Sequence, residues 1–497
     1  MEHFGDVSNK TYEYIENLIL NNTPKNREEV ARRKRIYWEE DDNISSYEFK
    51  NNWFTKKILP SILKDSSVNP LVKDLYKKQG LENVRDLDDL HLVKPVSLSQ
   101  FESVGFDNLN DLSKSFLYIH SSGRRNKIHF SHNDWIENIT DFSISLVDVL
   151  EEGDKFIGIT SKKYGEIIYM SGPVLTGMAK MLGAKIIKID YEEINDKEKV
   201  RNILKNNLRP KANLGLSPFI SKLVETPWSI KGLIGLLKLR YMFHGTTFMM
   251  GGDFVYESLR RKIKLATGKD PIDGLAGADK NMMGFEHLTK EGIIHKGMHE
   301  VSNYTLLMPT SEFEKLVDDP ERHPVLIPLQ DCGVGMKGEL ILTMNMEWWP
   351  RINYRSEDLI EIIGNNCHAG VSFKPIGRAG HLWTDERTGE RYWVVNETKV
   401  GSAPLNARMM GEVLTLLPGI NKAYFKVEKG PVDNVTINLV GSRKYSKEKV
   451  INHLRKHAKN RKEGFPNKSL MMVYNQGLFT IDVEYDQGLG LSAIGDV

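Results

Sequence analysis

The sequence predicts an α/β protein with parallel-type sheets in its larger part and a small α+β unit at its C-terminal end. Three observations carry this reading. Lys155 to Thr160 reads as a strand, Tyr164 to Gly183 as a helix and Ala184 to Ile189 as a second strand, the βαβ spacing of a parallel sheet. From about Arg378 the pattern changes: Pro404 to Leu417 reads as a helix, Ala423 to Glu428 and Asn434 to Val440 as strands, and Ser446 to Lys459 as a helix. The chain has 497 residues, 40% hydrophobic and 27% charged, which is a globular composition with length for roughly two to four domains.

In chain order, the first hundred residues are charged, with helical spacing over Glu28 to Glu40 and Ile62 to Gln79, and with Pro60, Pro70 and Pro95 as punctuation. Phe116-Leu117-Tyr118-Ile119 is a compact apolar run expected of a buried strand. After the βαβ unit, Ala212 to Leu216 and Leu239 to Phe248 read as further strands, and Phe254 to Thr267 as a helix. Beyond Leu306 short glycine-containing strands follow, among them Gly338 to Thr343.

Composition excludes several function classes. Lys+Arg 68 against Asp+Glu 66 gives a net charge of +2, without the basic excess of a nucleic-acid binder. Two cysteines, Cys332 and Cys367, cannot form a disulfide framework or a four-cysteine zinc site, and a reducing cytoplasm is expected. Met1 to Asp6 lacks a basic stretch followed by an apolar one, so no signal peptide is expected. No apolar stretch approaches the ~20 residues of a spanning helix. Neither nucleic acid nor a membrane is expected as a partner.

Several segments have chemical content, and each admits a plainer reading. Ser121-Ser122-Gly123-Arg124-Arg125-Asn126-Lys127 follows a strand. Its hydroxyls, glycine and cations suit phosphate oxygens; a solvated polar turn would use the same residues. Met249-Met250-Gly251-Gly252-Asp253 joins a strand to a helix, and its glycines would admit a flat ligand against the backbone or simply a tight turn. Asp273 to Lys280 reads as a loop in which Gly277 serves a turn or a ligand. Tyr354-Arg355-Ser356-Glu357-Asp358 reads as a loop whose carboxylates could accept two hydrogen bonds from a ribose diol, or form an exposed ion pair. Cys367-His368 lacks the distant partners of a metal site, and Trp348-Trp349-Pro350 suits packing.

Taken in order, these segments resemble the adenylate-forming superfamily, and within it the branch of phenylacetate–CoA ligase and its relatives. The resemblance runs from about Phe116 to Asn438. It rests on Ser121-Ser122-Gly123 with Lys127, Ser131 and Asp134; on Gly153-Asp154 and Leu182-Gly183-Ala184; on Leu216-Ser217-Pro218; and on Gly251-Gly252-Asp253 with Ser258-Leu259-Arg260. It continues through Gly338-Glu339-Leu340, Pro350, Tyr354 to Leu359, Gly377-Arg378 and Leu417-Pro418-Gly419-Ile420. The resemblance implies a large multi-subdomain domain over residues 111–377 and a small α+β domain over 378–497; the helical periodicity before it gives an N-terminal extension over 1–110, expected to pack on the large domain. It implies activation of a carboxylate by ATP as an acyl-adenylate, then transfer to a thiol or amine, with CoA, a carrier protein or an amine as acceptor. Nucleotide binding would fall to Ser121, Ser122, Gly123, Lys127, Gly251, Gly252, Asp253, Gly277, Asp279, Tyr354 and Asp358. Catalytic charge would come from Arg124, Arg125, Lys280 and Arg378. The apolar segment Lys231 to Met250 suits an apolar or aromatic acid, or a core.

The chain departs from the family pattern in four places. Arg124, Arg125 and Asn126 stand where the phosphate loop carries threonines and a second glycine. Asp279 and Lys280 replace the Thr-Glu whose glutamate holds Mg²⁺. Gly380 stands at the hinge carboxylate. Gly477-Leu478-Phe479-Thr480-Ile481-Asp482 leads to no catalytic lysine. Mg²⁺ therefore lacks its usual ligand, and no metal ligand is assigned. The departures leave two readings open: an enzyme whose cations replace the metal, or a non-catalytic nucleotide- or acyl-binding homologue that partners another enzyme and docks through its N-terminal helices.

Overall fold

A computed structural model of the chain describes residues 9–39, 43–64, 70–97, 100, 116–120, 127–160, 171–190, 193, 196–216, 220, 224, 230–251, 257–277, 281–289, 294–319, 321–344, 346, 351–367, 370–378, 381–384, 391–394, 397–400, 403–428, 430, 432–458, 470–471, 474–475 and 477–485. The N-terminal part is helical: α1 (Asn9–Asn22), α2 (Arg27–Trp38), α3 (Ser46–Trp53), α4 (Leu59–Lys64) and α5 (Pro70–Lys78). Asn26 caps α2 by accepting from the Glu29 N–H, and Glu28 and Glu29 complement the helix dipole in its first turn. The expected helix over Ile62 to Gln79 is two helices. Pro70 has no N–H to donate and takes the first position of α5, where none is needed. Pro60 is accommodated by a π-helical turn, Phe54–Ile58, in which the Leu59 N–H reaches back to the Phe54 carbonyl.

Strands β1 (Leu117–His120) and β2 (Lys127–Phe130) pair as a separate antiparallel ribbon. Ser131 then caps α6 (His132–Ser143) by accepting from the Asp134 N–H at 3.1 Å. An alternation follows: β3 (Lys155–Thr160), α7 (Ser171–Leu182), β4 (Lys185–Asp190), α8 (Lys197–Asn206), β5 (Ala212–Leu216), α9 (Ile230–Phe243), β6 (Thr247–Gly251), α10 (Glu257–Thr267) and β7 (Ile272–Gly277). The chain turns antiparallel with β8 (Asn281–Leu288), β9 (Ile294–Glu300) and β10 (Tyr304–Pro309). After α11 (Ser311–Asp318) come β11 (Ile327–Pro328), β12 (Lys337–Thr343), β13 (Tyr354–Cys367) and β14 (Gly370–Arg378). All but the ribbon strands join one twelve-stranded sheet, ordered β11-β10-β12-β13-β14-β9-β8-β7-β6-β5-β3-β4. Its β4-β3-β5-β6-β7 half is parallel and the rest antiparallel.

Past Arg378 the strands leave this sheet. Ribbons β15 (His381–Thr384) with β16 (Arg391–Val394), and β17 (Glu397–Val400) with β18 (Ala403–Asn406), precede α12 (Ala407–Leu414). Then β19 (Ile420–Glu428), β20 (Asp433–Gly441) and β21 (Phe479–Tyr485) form a three-stranded sheet, with α13 (Lys447–Ala458) between β20 and β21. The fold class read from the sequence is thus the observed one, α/β with a small α+β sheet.

Four segments differ from the sequence expectation. Leu239 to Phe243 ends helix α9, and only Thr247–Gly251 is strand; Gly245, at φ 80°, makes the break. Asp273 to Gly277 is strand β7 rather than loop, fixed by pairing on both sides. Tyr354 to Asp358 opens the long strand β13 instead of forming a loop. Pro404 to Asn406 belongs to β18, so the helix there starts at Ala407.

The sheet is covered on one face by the N-terminal helices with α6 and α7; Ile19, Trp38, Phe54, Tyr76, Trp135 and Phe285 share that core. The second core joins β3 and β6, through Ile157, Phe248 and Met250, to the C-terminal sheet, through Val435, Ile437 and Ile481. Charged residues of α2 and α3 are turned inward. Arg33 pairs with Glu29 at 2.9 Å, with Glu137 at 2.5 Å and with Asp141 at 3.8 Å. Lys34 holds Asp148 and donates to the Leu288 carbonyl at 2.8 Å, and Lys50 pairs with Glu300 at 2.8 Å. The Ser302 hydroxyl donates to Asp141.

Two outcomes follow from this buried network. Removing one partner of a buried ion pair strands the other in low dielectric, so Arg33→Met should lower stability by about 3–5 kcal/mol, read from urea denaturation. Burial pushes the Asp141 carboxyl up to about 7, while Arg33 and the Ser302 hydroxyl act to lower it and Glu137 to raise it. Since that value lies above the unfolded carboxyl near 3.9, the native state holds the proton more tightly. The stability so gained is full below about pH 4 and lost as pH rises to about 7. Asp141→Asn should flatten the dependence of the urea midpoint on pH in that window.

Candidate active site

The parallel half of the sheet has a topological switch point. From β3 the chain crosses to β4 on one side and then to β5 on the other, which leaves a crevice outside the carboxyl ends between β3 and β5. The strand ends at this edge are Thr160, Asp190, Leu216, Gly251 and Gly277. Thr160 is fully buried, and its hydroxyl has no hydrogen-bond partner among the described residues. Such a group is expected to meet a ligand or a water.

Gly251 and Gly277 stand at this edge, on neighbouring strands. A Cβ on Gly251 would lie 2.8 Å from the Gly274 carbonyl oxygen, so close strand approach requires this glycine whatever binds nearby. Gly252, Asp253, Asp279 and Lys280 fall outside the described residues, as do Ser121, Ser122, Gly123, Arg124 and Arg125. Those last five belong to the connection between β1 and β2, whose bases are the Cα partners His120 and Lys127.

Asp358 and Arg378 are Cα partners on β13 and β14. The ladder row Gly274–Phe285–His299–Ser372 ties these strands to β7. From that row, Asp358 and Arg378 lie toward the end at which β7 enters the sheet. On the ladder the sequence-predicted residues therefore form two groups, Gly251 with Gly277 and Asp358 with Arg378. Tyr354 is buried beneath the Arg351 guanidinium, 5.2 Å from its ring centre, and beside the N-terminal residue Val96.

The backbone beside Asp358 is held by Glu339, which the motif order names without a role. Glu339 of β12 is 0% exposed. It takes the Arg355 Nη2 at 2.7 Å and accepts from the Glu357 N–H at 2.9 Å. Glu357 is in the left-handed region, φ 59°, where a non-glycine residue is uncommon. The next N–H, of Asp358, donates to the Ser356 hydroxyl at 2.9 Å. The acids and base of this segment thus do not simply pair with one another. Arg355 reaches across to β12, and Glu339 holds its guanidinium more firmly charged. Gly338-Glu339 beside an arginine two strand-lengths on is a weak sequence signal that pairing alone resolves.

A charge that the sequence reading missed is Glu286 of β8. Arg260 of α10 donates to it at 2.8 Å and to the Pro271 carbonyl at 3.2 Å, while the Asp273 N–H donates to the same carboxylate at 3.0 Å. Burial raises the Glu286 carboxyl and Arg260 opposes the shift. This cluster ties α10 and the start of β7 to β8. Among the described residues no group of three His, Cys, Asp or Glu is placed to hold a metal ion. Burial pushes the Cys332 thiol up to about 12, which keeps it protonated and inert at neutral pH.

No family model matches the sequence, and no curated protein matches it. Solved structures do. One is 2-hydroxyisobutyryl-CoA ligase in complex with 2-HIB-AMP and CoA in the thioesterification state, with a TM-score of 0.60 and 14% identity, covering 91% of this chain and 93% of that one. The crystal structure of IdnL1 is similar with a TM-score of 0.50 and 10% identity, over 78% of this chain and 70% of that one.

The fold is that of the 2-hydroxyisobutyryl-CoA ligase structure.

Within this fold the glycine at the end of β6 has a structural duty. Gly251→Ala should destabilise the protein by about 1–3 kcal/mol through overpacking, seen as a lower thermal midpoint in differential scanning calorimetry.

Proposed function

We propose that the protein is a cytoplasmic AMP-forming ligase of the phenylacetate–CoA ligase-like branch that activates an apolar or aromatic carboxylate. The observation that carries this reading is the likeness along nearly the whole chain to a CoA ligase crystallised with 2-HIB-AMP and CoA. The switch-point crevice with its buried Thr160 hydroxyl supports it.

In the proposed reaction a carboxylate oxygen attacks the α-phosphorus of ATP, the bond to the β-phosphate oxygen breaks, and pyrophosphate leaves. A thiol or amine then attacks the acyl carbon, loses its proton, and displaces AMP. Ser121, Ser122, Gly123 and Lys127 would cradle the phosphates, with Arg124, Arg125 and Lys280 neutralising charge that Mg²⁺ shares where it binds. Gly251, Gly252 and Asp253 would line the adenine side, Gly277 and Asp279 would belong to the loop after it, Tyr354 and Asp358 to the ribose segment with Asp358 taking the ribose hydroxyls, and Arg378 would act at the hinge. The hinge would divide a domain over 111–377, carrying a helical extension over 1–110, from a small domain over 378–497. The sheet's last strand, β14, ends at Arg378, in support of that division.

A second reading has its own observation. Asp279-Lys280 in place of Thr-Glu, and the lack of a lysine after Gly477-Leu478, favour a non-catalytic homologue that binds a nucleotide or an acyl group. Isothermal titration with ATP, AMP and a nonhydrolysable acyl-adenylate, in Mg²⁺ and in EDTA, tests for the nucleotide site, and carboxylate-dependent release of pyrophosphate then separates an enzyme from a binding homologue. The ligase reading expects ATP or pyrophosphate to bind in EDTA and to bind less well after Arg124→Ala, Arg125→Ala or Lys280→Glu. A hydrogen bond to a charged group contributes about 1.5–3 kcal/mol, so Asp358→Ala should weaken AMP at least about tenfold. Flat titrations of the wild type in both buffers would leave no nucleotide site to defend.

A further inference from the structure

Helix α9 is apolar on two opposite faces. Leu239 and Phe243 are buried against the sheet. On the other side Ile234, Leu237 and Tyr241, at i, i+3 and i+7, are 50%, 60% and 60% exposed. A surface helix of a globular domain places polar residues along that line. Leu208 extends the stripe at the C-terminal end of α9, where the Arg209 N–H donates to the Met242 carbonyl at 2.8 Å and the Arg209 guanidinium lies 5.9 Å from the Tyr241 ring centre.

The rim of the stripe is cationic. Lys238, Arg240 and Arg209 are exposed, and none has a carboxylate partner among the described residues. The stretch from Lys231 to Lys269 holds 8 lysines and arginines against 2 acids, in a chain whose total net charge is +2. Two of the eight are paired with acids beyond that stretch, Arg260 with Glu286 and Lys264 with Asp270, and the balance around α9 stays positive. At the strand starts below α9, Lys155 and Lys185 are Cα partners, and the Lys211 N–H donates to the Lys155 carbonyl.

We propose that this face is a peripheral membrane-binding surface for anionic bilayers. Helix α9 would lie in the plane of the interface, with Ile234, Leu237 and Tyr241 at the headgroup–acyl boundary and the cations against acidic headgroups. A basic rim around an apolar stripe, with a tyrosine at its edge, is the pattern of an interfacial helix. A second copy of the chain would bring two positive rims together, which disfavours self-association through this face. No helix among the described residues is long and apolar enough to cross a membrane, and lying on the surface needs only one helical face. Attachment by a few side chains and surface charge is reversible and salt-sensitive.

The test is co-sedimentation of the full chain, without nucleotide, with vesicles of phosphatidylglycerol and phosphatidylcholine and with vesicles of phosphatidylcholine alone. The wild type should bind the anionic vesicles, bind the neutral ones much less, and dissociate as salt rises. The Leu237→Ser/Tyr241→Ser and Lys238→Glu/Arg240→Glu variants should each bind at least about tenfold more weakly, with circular dichroism and the thermal midpoint unchanged. Lack of binding by the wild type, equal binding to both vesicle types, or full binding by both folded variants would overturn the proposal. So would a wild-type dimer in analytical ultracentrifugation that Leu237→Ser dissolves while vesicle binding is unaffected. None of these outcomes depends on nucleotide binding, so failure here leaves the ligase reading intact, and failure there leaves this one.

Discussion

The structure depends on placing three buried cations of the N-terminal helices against carboxylates beneath them. Arg33, Lys34 and Lys50 meet Glu137, Asp141, Asp148 and Glu300 at the seam between α2–α3, α6 and the sheet. Buried charge is costly unless every partner is supplied, so this seam admits one arrangement. Backbone groups complete it: Lys34 also reaches the Leu288 carbonyl, and the Trp38 indole donates to the Glu300 carbonyl at 3.0 Å. Further along, the Asn353 amide donates to the Leu90 and Val93 carbonyls, and the Tyr76 hydroxyl accepts from the Ile352 N–H. The helical part is thereby fixed to both the entry and the middle of the antiparallel strands, whose face it covers.

That fixation matters for the crevice because the parallel and antiparallel strands are one sheet. Strand β8 is the joint between them. It carries Glu286, which ties α10 and β7, and Phe285, which packs against Trp38 at 6.4 Å between ring centres. A shift of the N-terminal cover would thus be felt at β7 and at Gly277. The Arg355–Glu339 pair has the same role further along the sheet, where it holds the left-handed Glu357 and the backbone of Asp358. Charged anchors are the means by which this mixed sheet keeps its two groups of candidate residues in register, since dispersion between apolar side chains sets distance but not identity of partner.

Much of the architecture was legible from local sequence. The strands over 155–160, 185–190 and 212–216 and the first two of the C-terminal sheet have the short apolar pattern that fixes them without long-range information, whereas β21 is not read from the sequence. What the sequence left out was pairing. Asp273–Gly277 has too many small and polar residues to look like a strand, and it becomes one because β6 and β8 flank it. Tyr354–Asp358 was mistaken for a loop for the same reason, its acids and arginine being satisfied by β12. The N-terminal charges suggested a surface that awaits a partner; Arg33, Lys34 and Lys50 are instead used within the chain. Of the candidate site, Gly251, Gly277, Asp358, Arg378 and the segment Gly338-Glu339-Leu340 can be named from motif order, whereas the pairing of Asp358 with Arg378, the burial of Glu339, and Thr160 and Glu286 cannot, because strand register, burial and partner geometry single them out.

The misreading of Leu239 to Phe248 as a strand has a physical cause of its own. Helical periodicity is visible only when one face is polar, and α9 has none: Leu236, Leu239 and Phe243 occupy the inner side, Ile234, Leu237 and Tyr241 the outer. With apolar residues at nearly every phase, the pattern over Leu239 to Phe243 runs unbroken past Gly245 into the true strand Thr247–Gly251. The inner set is explained by the core it joins. Among the described residues nothing covers the outer set, and its cost in water, spread over exposed apolar side chains, is one that monomeric proteins ordinarily avoid. The feature that hid the helix from sequence reading is therefore the feature that calls for something outside the protein to cover it. The lysines and arginines around it decide the sign of what that cover must be.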